Sequence, residues 1–216
     1  MIKQIRNLDS EKIINMAVSI LEQEGFKGLS MRNLASRLGI KAASLYNHFP
    51  NKVALIKQLQ VYFVNPKNRL YNISFDAKTW QEFLTHKSEV VYREFMERPY
   101  TLELFSKYSG ENQQTVMLFE KYMETMVGFG FSINDAAYID NMLGIYIVGH
   151  CTFALGVEEQ KKEAPDSVKF KPNPKFHTPL ISKFVEMGWF DLDKCFKFAI
   201  NHIIEGISSL QKKADK

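Results

Sequence analysis

The sequence predicts an all-α chain: three short helices in residues 1–51, then a larger helical unit over residues 52–216. Two observations predict it. Apolar residues recur three and four apart along most of the chain, the spacing that lines one face of a helix. Cap residues and glycine stops punctuate that pattern, closely at first and more widely later.

The elements follow in order. Asp9 can cap a first helix whose apolar face holds Ile13, Ile14, Ala17, Val18 and Leu21, and Gly25 in "EGFKG" is its expected stop. Ser30 is the next cap. It opens "MRNLASRL", with Met31, Leu34, Ala35 and Leu38 on one face, and Gly39 ends that helix. After a three-residue turn, "AASLYNHF" makes a third short helix that Pro50 breaks, and Asn51 caps a fourth starting at Lys52. Amphipathic segments then lie near 52–72, 79–97, 99–109, 112–129, 133–160 and 177–187, with a last helix over about 191–213. The stretch from Glu158, "EEQKKEAPDSVKFKPNPKFHTPL", is irregular: Pro165, Pro172, Pro174 and Pro179 forbid a continuous helix and predict a loop or an arm across a partner.

Two of the long helices carry further patterns. Gly144, Gly149, Ala154 and Gly156 on the 133–160 segment let another helix approach closely. On the last helix, Phe196, Ile200, Ile203, Ile207 and Leu210 form a seam for another helix, either internal core or a contact with a second copy.

Charge is unevenly placed. Residues 1–60 hold nine Lys/Arg against four acids, while the rest of the chain holds 19 against 20, and no Asp or Glu occurs between Gly25 and Phe75. An acid-free basic stretch suits a polyanion, because each neutralised phosphate releases counterions. Two short helices joined by a tight turn are the helix-turn-helix arrangement, whose second helix lies in the major groove of DNA.

These residues carry a resemblance. Gly25 to Ser30 fit G-[FY]-x-x-[LT]-[ST], Leu34 to Ile40 read "LAxxLGI", and Ser44 to Leu55 read "SLYxHFxNKxxL". The combination resembles the DNA-binding domain of the tetracycline-repressor (TetR) family. "WQEFL", "GFS" and "GHCTFALGVEEQ" make the C-terminal part similar, more loosely, to the tetracycline repressors. The resemblance implies a homodimeric, all-helical repressor of a double-stranded DNA operator. It also implies a ligand pocket in the C-terminal unit, with ligand binding moving the helix that begins near Lys52.

Residue by residue, Leu45 and Phe49 sit at i and i+4 and should plug into Leu34 and Leu38. The outward positions are then the DNA-binding candidates: Ser30, Arg32, Lys41, Ala42, Ala43, Ser44, Tyr46, Asn47, His48 and Lys52. Small Ala42 and Ala43 allow close approach to base edges or a thymine methyl. Ser44 can donate to a phosphate or a base. By resemblance, Tyr46 and His48 meet the backbone, and Asn47 can do so or read a base. Lys52 at a helix N-terminus suits a phosphate, and Arg32 can reach a phosphate or a base. A catalytic reading of Tyr46, His48 and Lys52 lacks a carboxylate to orient the imidazole, and no G-x-S-x-G, zinc motif or phosphate loop points to an enzyme.

For the pocket, the resemblance and the aromatic and Met stripes nominate Lys87, Phe105, Tyr108, Phe119, Tyr122, Met123, Met126 and His150, with plain core as the rival reading. The expected effector is small, apolar and flat. Lys87 stands where the tetracycline repressors place a drug-binding Asn, and no histidine lies between His86 and His150 to replace their metal-chelating one. This argues against tetracycline; Lys87 either meets an anionic ligand or is a solvated helix residue. His150 and Cys151 keep a metal- or haem-responsive sensor open as the alternative, although neighbouring helix positions diverge by about 100°. No cofactor or dedicated metal site is expected. Cys151 and Cys195 are expected as free thiols, and the polar start "MIKQIRNLDSEK" with no long apolar run predicts a cytoplasmic protein rather than a membrane one.

Overall fold

The structure is a computed structural model that describes residues 9–65, 73–107, 113–165, 175, 177–186 and 191–211. Among the described residues there are ten helices and no strand: α1 (Ser10–Gly28), α2 (Met31–Leu38), α3 (Ala42–Tyr46), α4 (Lys52–Val64), α5 (Trp80–Glu97), α6 (Pro99–Lys107), α7 (Gln113–Gly128), α8 (Ile133–Glu163), α9 (Pro179–Glu186) and α10 (Leu192–Gln211). None is long and apolar enough to cross a membrane.

The predicted caps do what their chemistry allows. Asp9 accepts from the Lys12 amide at 2.8 Å, Ser30 from Asn33 at 3.1 Å and Asn51 from Ala54 at 2.9 Å. Each satisfies an amide that the first helical turn leaves unpaired, typically worth about 1 kcal/mol. Gly39 takes the left-handed conformation (φ 65°, ψ 31°), so the amides of Gly39 and Ile40 turn back onto Ser36 and Ala35 and the chain reverses into α3. Gly25 differs from expectation. Its φ of 68° kinks α1 instead of ending it, and one more turn follows to Gly28. α4 is shorter than the predicted 52–72 segment. It stops at Val64, because the proline after Asn65 disfavours a helical conformation there. α8 runs on to Glu163, so the first residues assigned to the irregular stretch are helical.

Two hydrophobic cores organise the chain. The first joins α1, α2, Leu45, Phe49 and the apolar side of α4, and it also takes Tyr100 and Leu104 from α6. α4 therefore packs with the N-terminal helices, although the sequence assigned it to the second unit. The second core is built by α5, α7, α8 and α10, with Leu102 of α6. α6 thus has residues in both cores.

Most of the α10 seam packs inside its own chain. Phe196, Ile200 and Ile207 are buried within this chain, together with Ile204, against α5 and α8. Ile203 is half-buried and packs on the same core; only Leu210 is exposed. A regular stripe says that a helix is wanted, not whose helix, and here α10 closes its own bundle. An exposed apolar stripe lies on α8. On the 31-residue α8, Tyr138 (72% exposed), Met142, Ile145 (68%) and Phe153 (60%) share a face opposite the buried Ile139, Leu143 and Ile147, and Phe198 of α10 is 66% exposed.

Candidate DNA-binding surface and effector pocket

The short helix α3 and the turn after it are divided by Leu45 and Phe49, both buried against the core that holds Leu34 and Leu38. The backbone closes the turn, with the amides of His48 and Phe49 donating to the Leu45 carbonyl at 2.9 and 2.8 Å. This leaves Lys41, Ala42, Ala43, Tyr46 and Asn47 exposed and Ser44 and His48 half-buried on the outer side. Arg32 is exposed early in α2. Ser30 spends an oxygen lone pair on its cap but keeps its hydroxyl donor.

Lys52 is less solvated than the sequence suggests. It is half-buried, with its ammonium 4.9 Å from the centre of the Phe26 ring. Burial lowers its pKa, and the charge of Glu103 pulls in the other direction. The last acid before the acid-free stretch, Glu24, is turned aside. It pairs with Arg37 and accepts from the Asn33 amide group at 2.9 Å, pinning α2 to the end of α1. Arg37 is thereby neutralised, and the positive character of the surface rests on Arg32, Lys41 and Lys52.

A cavity of about 200 Å³ opens in the second unit. Its wall is mostly apolar: Val64 of α4, Ile73 and Phe75 from the segment before α5, Phe83 and Val91 of α5, Phe105 of α6, and Leu118, Phe119 and Tyr122 of α7. Thr115, Lys87 and Asp140 supply the polar groups. The rings interlock, Phe83 lying 5.5 Å from Phe75 and 5.9 Å from Tyr122, and Phe119 stacking on Tyr122 at 6.0 Å. The Tyr122 hydroxyl donates to the Ala136 carbonyl at 3.0 Å, and burial, then the charge of Asp140, raise its pKa strongly, so it stays protonated.

Lys87 is not a solvated helix residue. Its ammonium bonds Asp140 of α8 at 2.6 Å and lies 5.0 Å from the centre of the Tyr122 ring. The two side chains are only 15% and 29% exposed.

Of the nominated pocket residues, Lys87, Phe105, Phe119 and Tyr122 line this cavity. Met126 is fully buried core, and Met123 packs against that core. Tyr108 lies outside the described residues. His150 is displaced from the cavity. It sits among the rings of Tyr92, Tyr146 and Phe196, at 5.7, 5.7 and 5.5 Å. Burial lowers its pKa, against opposing effects from the Leu192 backbone and Asp193, so its packing favours the neutral ring. Beside it, burial pushes the Cys151 thiol up to about 12, which leaves it unreactive. Among the described residues, no three His, Cys, Asp or Glu side chains gather as a metal site.

Sequence reasoning named Lys87, but it missed Asp140 and the other two members of the stripe Phe83–Lys87–Val91. The stripe is visible as an i, i+4, i+8 run on α5. Asp140 has a weaker signal, one acid inside the apolar "YIDNML".

Comparison with known proteins follows the same division. Residues 13–59 match the bacterial regulatory proteins of the tetR family, and residues 75–210 match the tetracyclin repressor-like C-terminal domain. The chain is 26% identical over 202 residues to the tetracycline repressor protein class D of Escherichia coli, covering 92% of this chain and 88% of that protein. The class H repressor of Photobacterium damsela subsp. piscicida gives the same figures. Among solved structures, apo ActR from Streptomyces coelicolor superposes with a TM-score of 0.75 at 20% identity, over 96% of this chain and 98% of that one. TetR from Acinetobacter baumannii AYE gives 0.67 at 22% identity, over 95% and 99%. With both parts of the chain accounted for, the protein belongs to the tetR family of helix-turn-helix transcriptional regulators, a family of DNA-binding proteins rather than enzymes.

Proposed function

We propose that the protein is a homodimeric repressor of a palindromic operator, released by a small apolar or aromatic effector that enters the cavity between α4, α5, α6 and α7. Residues 1–51 would carry the DNA contacts, and residues 52–216 effector binding and dimerisation. One recognition helix per half-site requires the two copies of α3 to stand about 34–36 Å apart. The operator places the working protein in the cytoplasm.

One observation carries the reading. α4 begins at Lys52 beside the candidate DNA surface and ends at Val64 on the cavity wall. A rigid rod of 13 residues spans about 20 Å, so an occupant that displaces Val64 displaces the DNA-facing end too. The occupant must bind the non-operator conformation more tightly, since a ligand with equal affinity for both shifts nothing.

The names of similar proteins lend support. ActR has been solved with actinorhodin, and a variant of the Acinetobacter TetR with minocycline. The cavity here is smaller than the roughly 300–1,000 Å³ of usual ligand sites, and Lys87 stands in the drug-binding register, so an effector other than tetracycline is favoured. The test is a gel shift against random DNA pools. Salt-sensitive selection of a palindrome supports the reading, and binding without sequence preference overturns it.

A further inference from the structure

Apart from Thr115, the polar edge of the cavity is one ion pair, Lys87 with Asp140, set in an otherwise apolar wall of aromatic and aliphatic side chains. We infer that this pair selects the effector's charge: the ligand is a neutral, flat compound whose edge offers one hydrogen-bond donor and one acceptor side by side, such as a phenol, and aromatic anions and cations are rejected. The inference rests on the cavity being the effector site.

The pair is already balanced. Lys87 and Asp140 are mostly buried and 2.6 Å apart, so their charges cancel inside a poorly solvated wall. A ligand with net charge would leave one charge uncompensated in that wall, which is costly. A neutral ligand keeps the balance. Lys87 has three N–H donors and Asp140 two acceptor oxygens, and their mutual contact uses one of each. What remains is one face that both donates and accepts. A hydroxyl can accept from Lys87 and donate to Asp140 without breaking the pair. The rest of the cavity supplies ring faces, with Phe83, Phe119 and Tyr122 interlocked around it. A volume of about 200 Å³ suits two fused rings better than four.

The experiment is titration calorimetry of the full chain at neutral pH with four probes: naphthalene, 2-naphthol, 2-naphthoate and 2-naphthylmethylammonium. The expected result is that 2-naphthol binds at least about tenfold more tightly than either ion, the penalty of an unpaired buried charge. In the double variant Lys87→Met/Asp140→Leu, naphthalene should bind at least as well as in the parent, and 2-naphthol should lose its advantage over it. If either ion matches 2-naphthol in the parent, or the double variant keeps the parent's preference for the hydroxyl, the charge rule is overturned while the cavity remains a ligand site. If none of the four binds, naphthalene included, the effector-site reading fails and the inference with it. A melting curve of the double variant guards against misfolding. Should it not fold, Lys87→Met alone, which strands Asp140, must weaken 2-naphthol by at least about tenfold or the rule is overturned.

Discussion

Tyr46 and Leu45 are neighbours on a helix of five residues, yet one is half exposed and the other sealed in the core. That division makes the surface testable residue by residue. Leu45→Ala opens a cavity with no partner to fill it and should cost about 2–4 kcal/mol, read as a lower denaturation midpoint. Lys52→Ala acts on binding instead. Its ammonium is shared with Phe26 and Glu103 but stands at a helix start, so the variant should weaken DNA binding across all sequences and flatten the salt dependence by about one counterion. His150 gives a pH prediction. Its folded pKa lies below the ordinary value of 6.5, so the unfolded chain takes up its proton first as pH falls. Stability should fall on acidification from neutral pH through that value and level off below the folded pKa. His150→Phe keeps an aromatic ring among Tyr92, Tyr146 and Phe196 and should remove this part of the acid slope in melting temperature. An unchanged slope would show that His150 does not titrate on unfolding.

Helices α1 to α4 were legible in the sequence because short-range chemistry sets them: Asp9, Ser30 and Asn51 as caps and Gly39 as a left-handed stop act within four residues. Gly25 was half legible, since a glycine marks a break but not whether the helix resumes after it. The long helices were legible as helices, but their partners were not. The stripe of α10 satisfies α5 and α8 of its own chain, whereas α8 carries a long exposed apolar face. The Lys87–Asp140 pair joins residues 53 positions apart, and nothing local couples them. The exposed face of α8 carries the element-scale prediction. In a two-fold dimer the same patch meets itself, so Ile145→Glu would place two like charges together in an apolar contact. If the protein is the proposed dimer, dissociation should become measurable by sedimentation at concentrations where the parent stays dimeric, and operator affinity should fall with it. Phe196→Ala should instead lower the melting temperature, because Phe196 is core of a single chain. If Ile145→Glu sediments like the parent, α8 is not the dimer face.

At the scale of the molecule, the question is how an occupied cavity reaches α3. The two cores share α6: Tyr100 and Leu104 pack with the N-terminal helices, Phe63 meeting Tyr100 at 5.9 Å, while Phe105 lines the cavity. A buried hydrogen bond from the Gln60 side chain to the Leu104 carbonyl, 2.9 Å long, ties α4 to α6 at the same place. Movement of Phe105 or Val64 is therefore movement of a helix that the first core grips. This can be tested without knowing the effector. Val91→Trp extends an indole into a cavity of about 200 Å³ and acts as a permanent occupant. It should lower operator affinity by about tenfold or more, about 1.4 kcal/mol, in a protein that melts within a few degrees of the parent. Gln60→Leu alone should change operator affinity little, because it removes a link between helices and no DNA contact. Combined with Val91→Trp, it should restore part of the lost affinity, giving a coupling energy in a double-mutant cycle. Additive effects would mean that the signal bypasses the α4–α6 link, and a stable Val91→Trp protein with full operator affinity would mean that filling the cavity does not move the DNA-binding helices at all.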